Sequence, residues 1–161
     1  MKKSIENDIL IPEIGELLSE GKDVRFTPTG VSMRPFIEGG KDIVVLRKQP
    51  DVRVGDIALA QIHRPAGSTL AQQTPRAFVL HRVIAVDGEA VTLMGDGNIG
   101  STEQCTKADV LGTVIRIEND KGRRKPLTRG RIWNMLYPCR RILLKVYRKI
   151  IKLNRTGIVT Y

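Results

Sequence analysis

Ser32 lies in Gly30-Val31-Ser32-Met33-Arg34-Pro35, between the extended stretch Val24 to Thr27 and the apolar run Ile43 to Leu46. Gly30 can take dihedrals that other residues avoid, and Pro35 fixes its own φ while pushing Arg34 to extended geometry. Backbone of this kind cannot continue as helix. It holds a hydroxyl on a rigid ledge at the mouth of a sheet, where a nucleophile is useful. Turn statistics alone also account for a serine between glycine and proline, so Ser32 matters only in company. A serine hydroxyl is a poor nucleophile until a neighbouring base takes its proton, and the chain holds two histidines. His63 closes an apolar run and precedes Arg64-Pro65, which reads as a surface position at a strand end. His81 stands within Phe78-Val79-Leu80-His81-Arg82-Val83-Ile84, where a period of two puts it on one face with Val79 and Val83. In isolation that is usually the setting of a satisfied structural histidine. Gly95-Asp96-Gly97-Asn98 offers a carboxylate on a glycine-flanked turn, which is also what ordinary turns are made of.

The elements that must position these groups follow from periodicity. A short helix is expected from about Ile11 to Glu20, with Pro12 in its first turn, Leu10, Ile14, Leu17 and Leu18 on a stripe, and Gly21 as the stop. From Val24 the period becomes two. Val24 to Thr27 and Asp42 to Leu46 read as strands, and Val54-Gly55-Asp56 turns into the buried strand Ile57 to Ile62. Residues 64–76 are rich in Pro, Gly, Ser, Thr and Gln and read as a loop of about a dozen residues, long for a compact β domain. Ala77 to Val86 and Glu89 to Met94 flank Asp87-Gly88, the strongest hairpin signal in the chain. A loop begins at Gly95, Val110 to Glu118 is the last strand, and residues 119–122 close the body. No internal repeat is present. Residues 1–22, 23–120 and 121–161 thus divide into an N-terminal helix, a mainly β body forming a bent sheet or partial barrel, and a tail.

The chain has 161 residues, enough for one domain with an appendage and a sizeable core. Its net charge of +10 is unevenly placed: residues 121–161 carry 13 Lys/Arg and no acid, while residues 1–120 carry 14 basic against 17 acidic side chains. The tail, rather than the body, is therefore the candidate surface for an anionic partner. In it Ile132, Met135 or Leu136, Cys139, Ile142 or Leu143, Val146 and Ile150 share one face. Arg131, Asn134, Arg141, Lys145, Arg148 and Lys152 spread over the other, giving a basic amphipathic helix with a kink at Pro138. Such a helix can pack its apolar face on the β body, lie in the interface of an anionic bilayer through residues 131–153, with Trp133 and Tyr137 favouring the interface, or bind nucleic acid or a partner protein. Aromatic residues make up 4% of the chain, which argues against a stacking platform for single-stranded nucleic acid. Cys105 and Cys139 show no metal spacing and read as two reduced thiols; no metal or cofactor is expected. Met1-Lys2-Lys3 has the start of a secretory signal, but Glu6 and Asp8 follow at once, and no stretch approaches the roughly 18 apolar residues of a spanning helix. The expected location is cytoplasmic, peripheral on the inner membrane face if the tail docks there.

Gly30-Val31-Ser32-Met33-Arg34-Pro35, Val54-Gly55-Asp56-Ile57, His81-Arg82-Val83-Ile84 and Gly95-Asp96-Gly97-Asn98 resemble, in order and rough spacing, four boxes of the signal peptidase I/LexA-type serine peptidase superfamily. The boxes are G-x-S-M-x-P, G-D-I-V, K-R-V or H-R-V, and G-D-N, and the resemblance covers roughly residues 24–117. It implies a catalytic domain of signal-peptidase/LexA type in which the Ser-Met serine forms an acyl-enzyme and the first residue of the R-V box is the base. Position 81 is histidine, so the chain resembles the subtype of the endoplasmic-reticulum signal peptidases rather than the lysine members, implying a Ser32–His81 pair. A lysine base must be desolvated to lose its proton near neutrality, whereas an imidazole starts close to it but wants a partner to fix its tautomer. The histidine subtype uses an aspartate several residues past the G-D-N box. Here that window reads Gly100-Ser101-Thr102-Glu103, leaving Asp96 and Glu103 as candidates. The resemblance also implies an oxyanion hole using the backbone N–H of Ser32, with Gly30 as turn scaffold.

Two features depart from the superfamily. No membrane-spanning helix is expected, and the 31 residues before Ser32 are too few for a helix-turn-helix domain and contain no Ala-Gly self-cleavage bond. The expectation is a short stand-alone serine endopeptidase cleaving peptide or leader sequences with Ser32, His81 and an acid, Asp96 or Glu103. The absent aspartate leaves open a non-catalytic peptide- or membrane-binding module of the same fold. The charge alone leaves open a regulatory protein with a basic tail.

Overall fold

The computed structural model describes residues 7–63, 76–127 and 139–156. Helix α1 (Asn7–Ser19) precedes strands β1 (Val24–Phe26), β2 (Ile43–Arg47), β3 (Ile57–His63), β4 (Arg76–Asp87), β5 (Ala90–Met94) and β6 (Glu103–Thr106). A single 3-10 turn (Lys107–Asp109) then leads to β7 (Val110–Glu118), β8 (Arg124–Lys125) and helix α2 (Arg140–Thr156). The strands pair antiparallel in the order β1-β2-β7-β3-β4-β5-β6, with β8 on β7, in a mainly β half-barrel with a helix from each end of the chain. A flat sheet would hold β3 and β6 about 14 Å apart, three strand spacings; here they touch, so the sheet curls.

The curl gives β3 two buried faces. Ile57 and Leu59 join a core with Ile11, Ile14 and Leu18 of α1, while Ala58, Ala60 and Ile62 face Val83, Val91 and Leu93 inside the curl. This is why Ile57-Ala58-Leu59-Ala60 is a continuous apolar run rather than an alternating one. Small alanines suit the concave side, where Val83 and Val91 come close.

Several boundaries differ from expectation. Helix α1 begins at Asn7, so Pro12 is interior rather than in the first turn. The backbone hydrogen bond that Pro12 cannot donate is offset by burial of Ile11, Ile14 and Leu18, none more than 6% exposed. Gly21, at φ +79°, ends the helix as expected. Strands β6 and β8 fall where loop and turn were expected, because each is two to four residues long with almost no apolar signal. The expected loop falls on residues 64–75, outside the described residues, and Arg76 already belongs to β4.

The tail helix differs more. Its described face against the body is Leu144, Tyr147, Arg148 and Ile151, while Ile142, Leu143, Val146 and Ile150 are exposed. The stripe expected to be the apolar face is therefore not the packed one. Residues 128–138, including Trp133, Tyr137 and the expected kink at Pro138, lie outside the described residues. Among the described residues, no helix is long and apolar enough to cross a membrane.

Candidate active site

The turn that carries Ser32 is anchored on both sides of the hydroxyl. Met33 and Ile37, 5% and 1% exposed, plug into the core under α1, and burial of each contributes about 1.5–3 kcal/mol. The ends of the segment are drawn together by the Gly40 N–H donating to Pro28 O at 2.8 Å. Gly39 passes so close behind Gly30 that a Cβ would stand 2.0 Å from the Gly30 oxygen. Asp42, almost fully buried, accepts from the Glu38 N–H at 2.7 Å and from Lys125 Nζ at 2.5 Å, tying the turn to β8. The Arg34–Pro35 peptide bond is cis.

The Gly95-Asp96-Gly97-Asn98 turn lies against this ledge. Strand β5 ends at Met94 opposite Arg82, and the chain then crosses the serine turn, where the Gly97 N–H donates to Ser32 O at 2.7 Å. A Cβ at Gly97 would meet Val31 O, Arg34 O and Ser32 O at 3.0–3.2 Å, so the glycines are there for backbone-to-backbone approach.

His81 reaches the site from β4. Its backbone pairs with Ala58 on β3, and it lies one position before Arg82, the first β4 residue paired to β5. Strand β6 enters with Glu103 beside Leu93, which itself faces Val83, two positions from His81. The result is a row of three groups: Ser32 Oγ stands 3.0 Å from His81 Nε2, and Glu103 Oε2 stands 2.9 Å from His81 Nδ1. An ionised carboxylate can only accept, so the proton belongs on Nδ1 and Nε2 is left to accept from the Ser32 hydroxyl. The side chains of His81 and Glu103 are 7% and 21% exposed, so the row is shielded but open at the serine end, where a groove between Thr29-Gly30 and Phe78 to Leu80 begins.

Of the two acids considered for His81, Glu103 is beside it and Asp96 is not. Asp96, fully buried, accepts from Arg82 Nε at 2.8 Å and Nη2 at 2.7 Å, a bidentate pair. Arg82 Nη1 also donates to Gly55 O at 2.7 Å, and its guanidinium stacks 5.9 Å from the Phe36 ring centre. One side chain thereby ties together the Val54-Gly55-Asp56 turn, the Gly95-Asp96-Gly97 turn and the serine segment. This role was missed from sequence, although a lone arginine amid apolar strand residues was a signal that it needs a buried acid. His63 ends β3 mostly exposed, with only a 3.9 Å approach to Asp109, and is not part of the row.

Neither cysteine is bonded; Cys105 is buried and Cys139 exposed. Burial, with Asp109 nearby, pushes the Cys105 thiol up to about 11. No group of three or more His, Cys, Asp or Glu side chains gathers as a metal site among the described residues. A scan of protein-family models finds none that matches the chain, and no curated protein matches it.

Proposed function

We propose that the chain is a serine endopeptidase of signal-peptidase-like type that cleaves peptide or leader sequences. The observation that carries this reading is the unbroken Glu103–His81–Ser32 row at 2.9 and 3.0 Å. In the proposed reaction His81 Nε2 takes the Ser32 proton as Oγ bonds to the substrate carbonyl carbon. The Ser32 backbone N–H stabilises the resulting oxyanion. Collapse breaks the carbon–nitrogen bond, and His81 gives its proton to the departing amine. Water, deprotonated by the same imidazole, then releases the acyl group from Ser32. Glu103 keeps the Nδ1 proton in place and stabilises the imidazolium that forms at each stage. The curled sheet, with its serine turn, R-V strand and glycine turn meeting at one point, supports the signal-peptidase/LexA type of catalytic domain.

A fluorophosphonate probe tests the reading. Wild type is expected to be labelled, with labelling lost in both Ser32→Ala and His81→Ala. An unlabelled wild type would instead favour a non-catalytic module of the same fold.

Peripheral docking on the inner face of the cytoplasmic membrane is proposed alongside it. The exposed row Ile142, Val146 and Ile150, four residues apart on α2 beside exposed Lys145 and Lys149, supports it, because apolar insertion and phosphate contact would act together. Vesicles containing anionic phospholipid should pellet the wild type. The triple variant Ile142→Ser, Val146→Ser, Ile150→Ser should remain in the supernatant; equal pelleting would reject the docking.

A further inference from the structure

Two grooves meet at Ser32 and share Gly30 with it. The first is walled by Phe78 to Leu80 of β4. The second, of about 340 Å³, runs between the serine turn and α2, where Val31, Arg34, Asn98, Leu144, Tyr147 and Arg148 line it. A peptide cut at Ser32 must extend both ways from the scissile bond, so the second groove takes the residues on one side of it.

The chemistry of this second groove is cationic. Arg148 donates from Nη2 to Gly97 O at 3.0 Å, its one hydrogen bond among the described residues, which aims the guanidinium over the groove and leaves further N–H donors for a ligand. Arg34 brings a second guanidinium. Its Nη2 is paired with Glu38, and its buried Nε has no partner among the described residues. Glu38, the acid that acts on Tyr147 beside this wall, is already engaged by Arg34. Tyr147, raised by burial and by Glu38, stays a neutral hydroxyl donor. Leu144, 1% exposed, supplies the apolar floor.

We infer that the groove between the serine turn and α2 binds a carboxylate of the peptide substrate through Arg148, making this a peptidase that selects acidic peptides or free chain ends near the cut. The inference rests on the peptidase reading and adds the substrate class to it. A carboxylate can come from an Asp or Glu side chain or from a peptide C-terminus, and both would be held by the same planar fork of donors.

The test is a digest of a degenerate synthetic peptide mixture, with every cut located by mass spectrometry, followed by paired peptides ending in a free acid or an amide. In wild type, one position on one side of the cut should be enriched in Asp and Glu, or the free-acid peptide should be cleaved faster than its amide. The acid-over-neutral ratio of kcat/KM should fall about tenfold in Arg148→Gln, recover in part in Arg148→Lys, which keeps the charge but not the fork, and turn toward Lys and Arg in Arg148→Glu. The same profile in wild type and Arg148→Gln, or a preference for apolar residues alone, would overturn the inference while leaving the peptidase reading intact. Absence of any cleavage, or cleavage that survives Ser32→Ala, would overturn both.

Discussion

His81 and Arg82 are neighbours on one strand, and each holds a carboxylate, yet the two pairs have opposite surroundings. The His81–Glu103 pair, 7% and 21% exposed, borders a groove and has a hydroxyl on its free side. The Arg82–Asp96 pair, 2% and 0% exposed, is sealed under the serine turn, where Arg82 also donates to the Gly55 carbonyl and stacks on Phe36. Alternation along β4 sends one residue to the cleft and the next to the scaffold behind it. A titratable group suits the first position, and a permanently charged one with five fixed donors suits the second. On the proposed reading one pair serves the chemistry and the other the alignment, so substitutions in the first should act mainly on hydrolysis and those in the second first on stability.

The largest effect is expected at the open row. Ser32→Ala should lower peptide hydrolysis by about 10⁴-fold or more while leaving the thermal midpoint nearly unchanged. Arg82→Met should act first on stability, costing about 3–5 kcal/mol in denaturant titrations because Asp96 loses its buried guanidinium partner. The double variant Arg82→Met, Asp96→Leu should recover much of that loss. Glu103→Gln should lower kcat about a hundredfold through loss of the carboxylate beside Nδ1, with stability little changed; a purely structural role would show the opposite split. Gly97→Ala pushes a methyl against three carbonyl oxygens and should cost about 1–3 kcal/mol, with activity falling as the serine turn shifts. The smallest effect concerns thiols: at neutral pH a thiol reagent should modify exposed Cys139 quickly and Cys105 hardly at all, because the thiolate of Cys105 is rare below about 11.

What could be read in advance divides along the same line. The Asp87-Gly88 hairpin and the strands around it were legible because period-two alternation and a glycine at φ +55° are local properties. Ser32, His81 and Glu103 were all in view as candidates. The choice between Asp96 and Glu103 was not, because a carboxylate on a glycine turn looks the same whether it meets an imidazole or a guanidinium. That choice depends on the short strand β6, whose Glu103-Gln104-Cys105-Thr106 has one buried apolar position and takes its conformation from pairing with β5. The packed face of α2 was hidden for a related reason. The better apolar stripe, Ile142, Val146 and Ile150, points outward, and the body instead takes Leu144, Tyr147 and Ile151.

Trapping of an acyl-enzyme tests the central claim most directly. Wild type mixed with p-nitrophenyl acetate and quenched in acid should release a burst of nitrophenol and carry one acetyl group, mapped by mass spectrometry to Ser32 and absent from His81→Ala. An acetyl group found on another residue, or no burst from a folded protein, would contradict the assignment of Ser32 as the nucleophile served by His81.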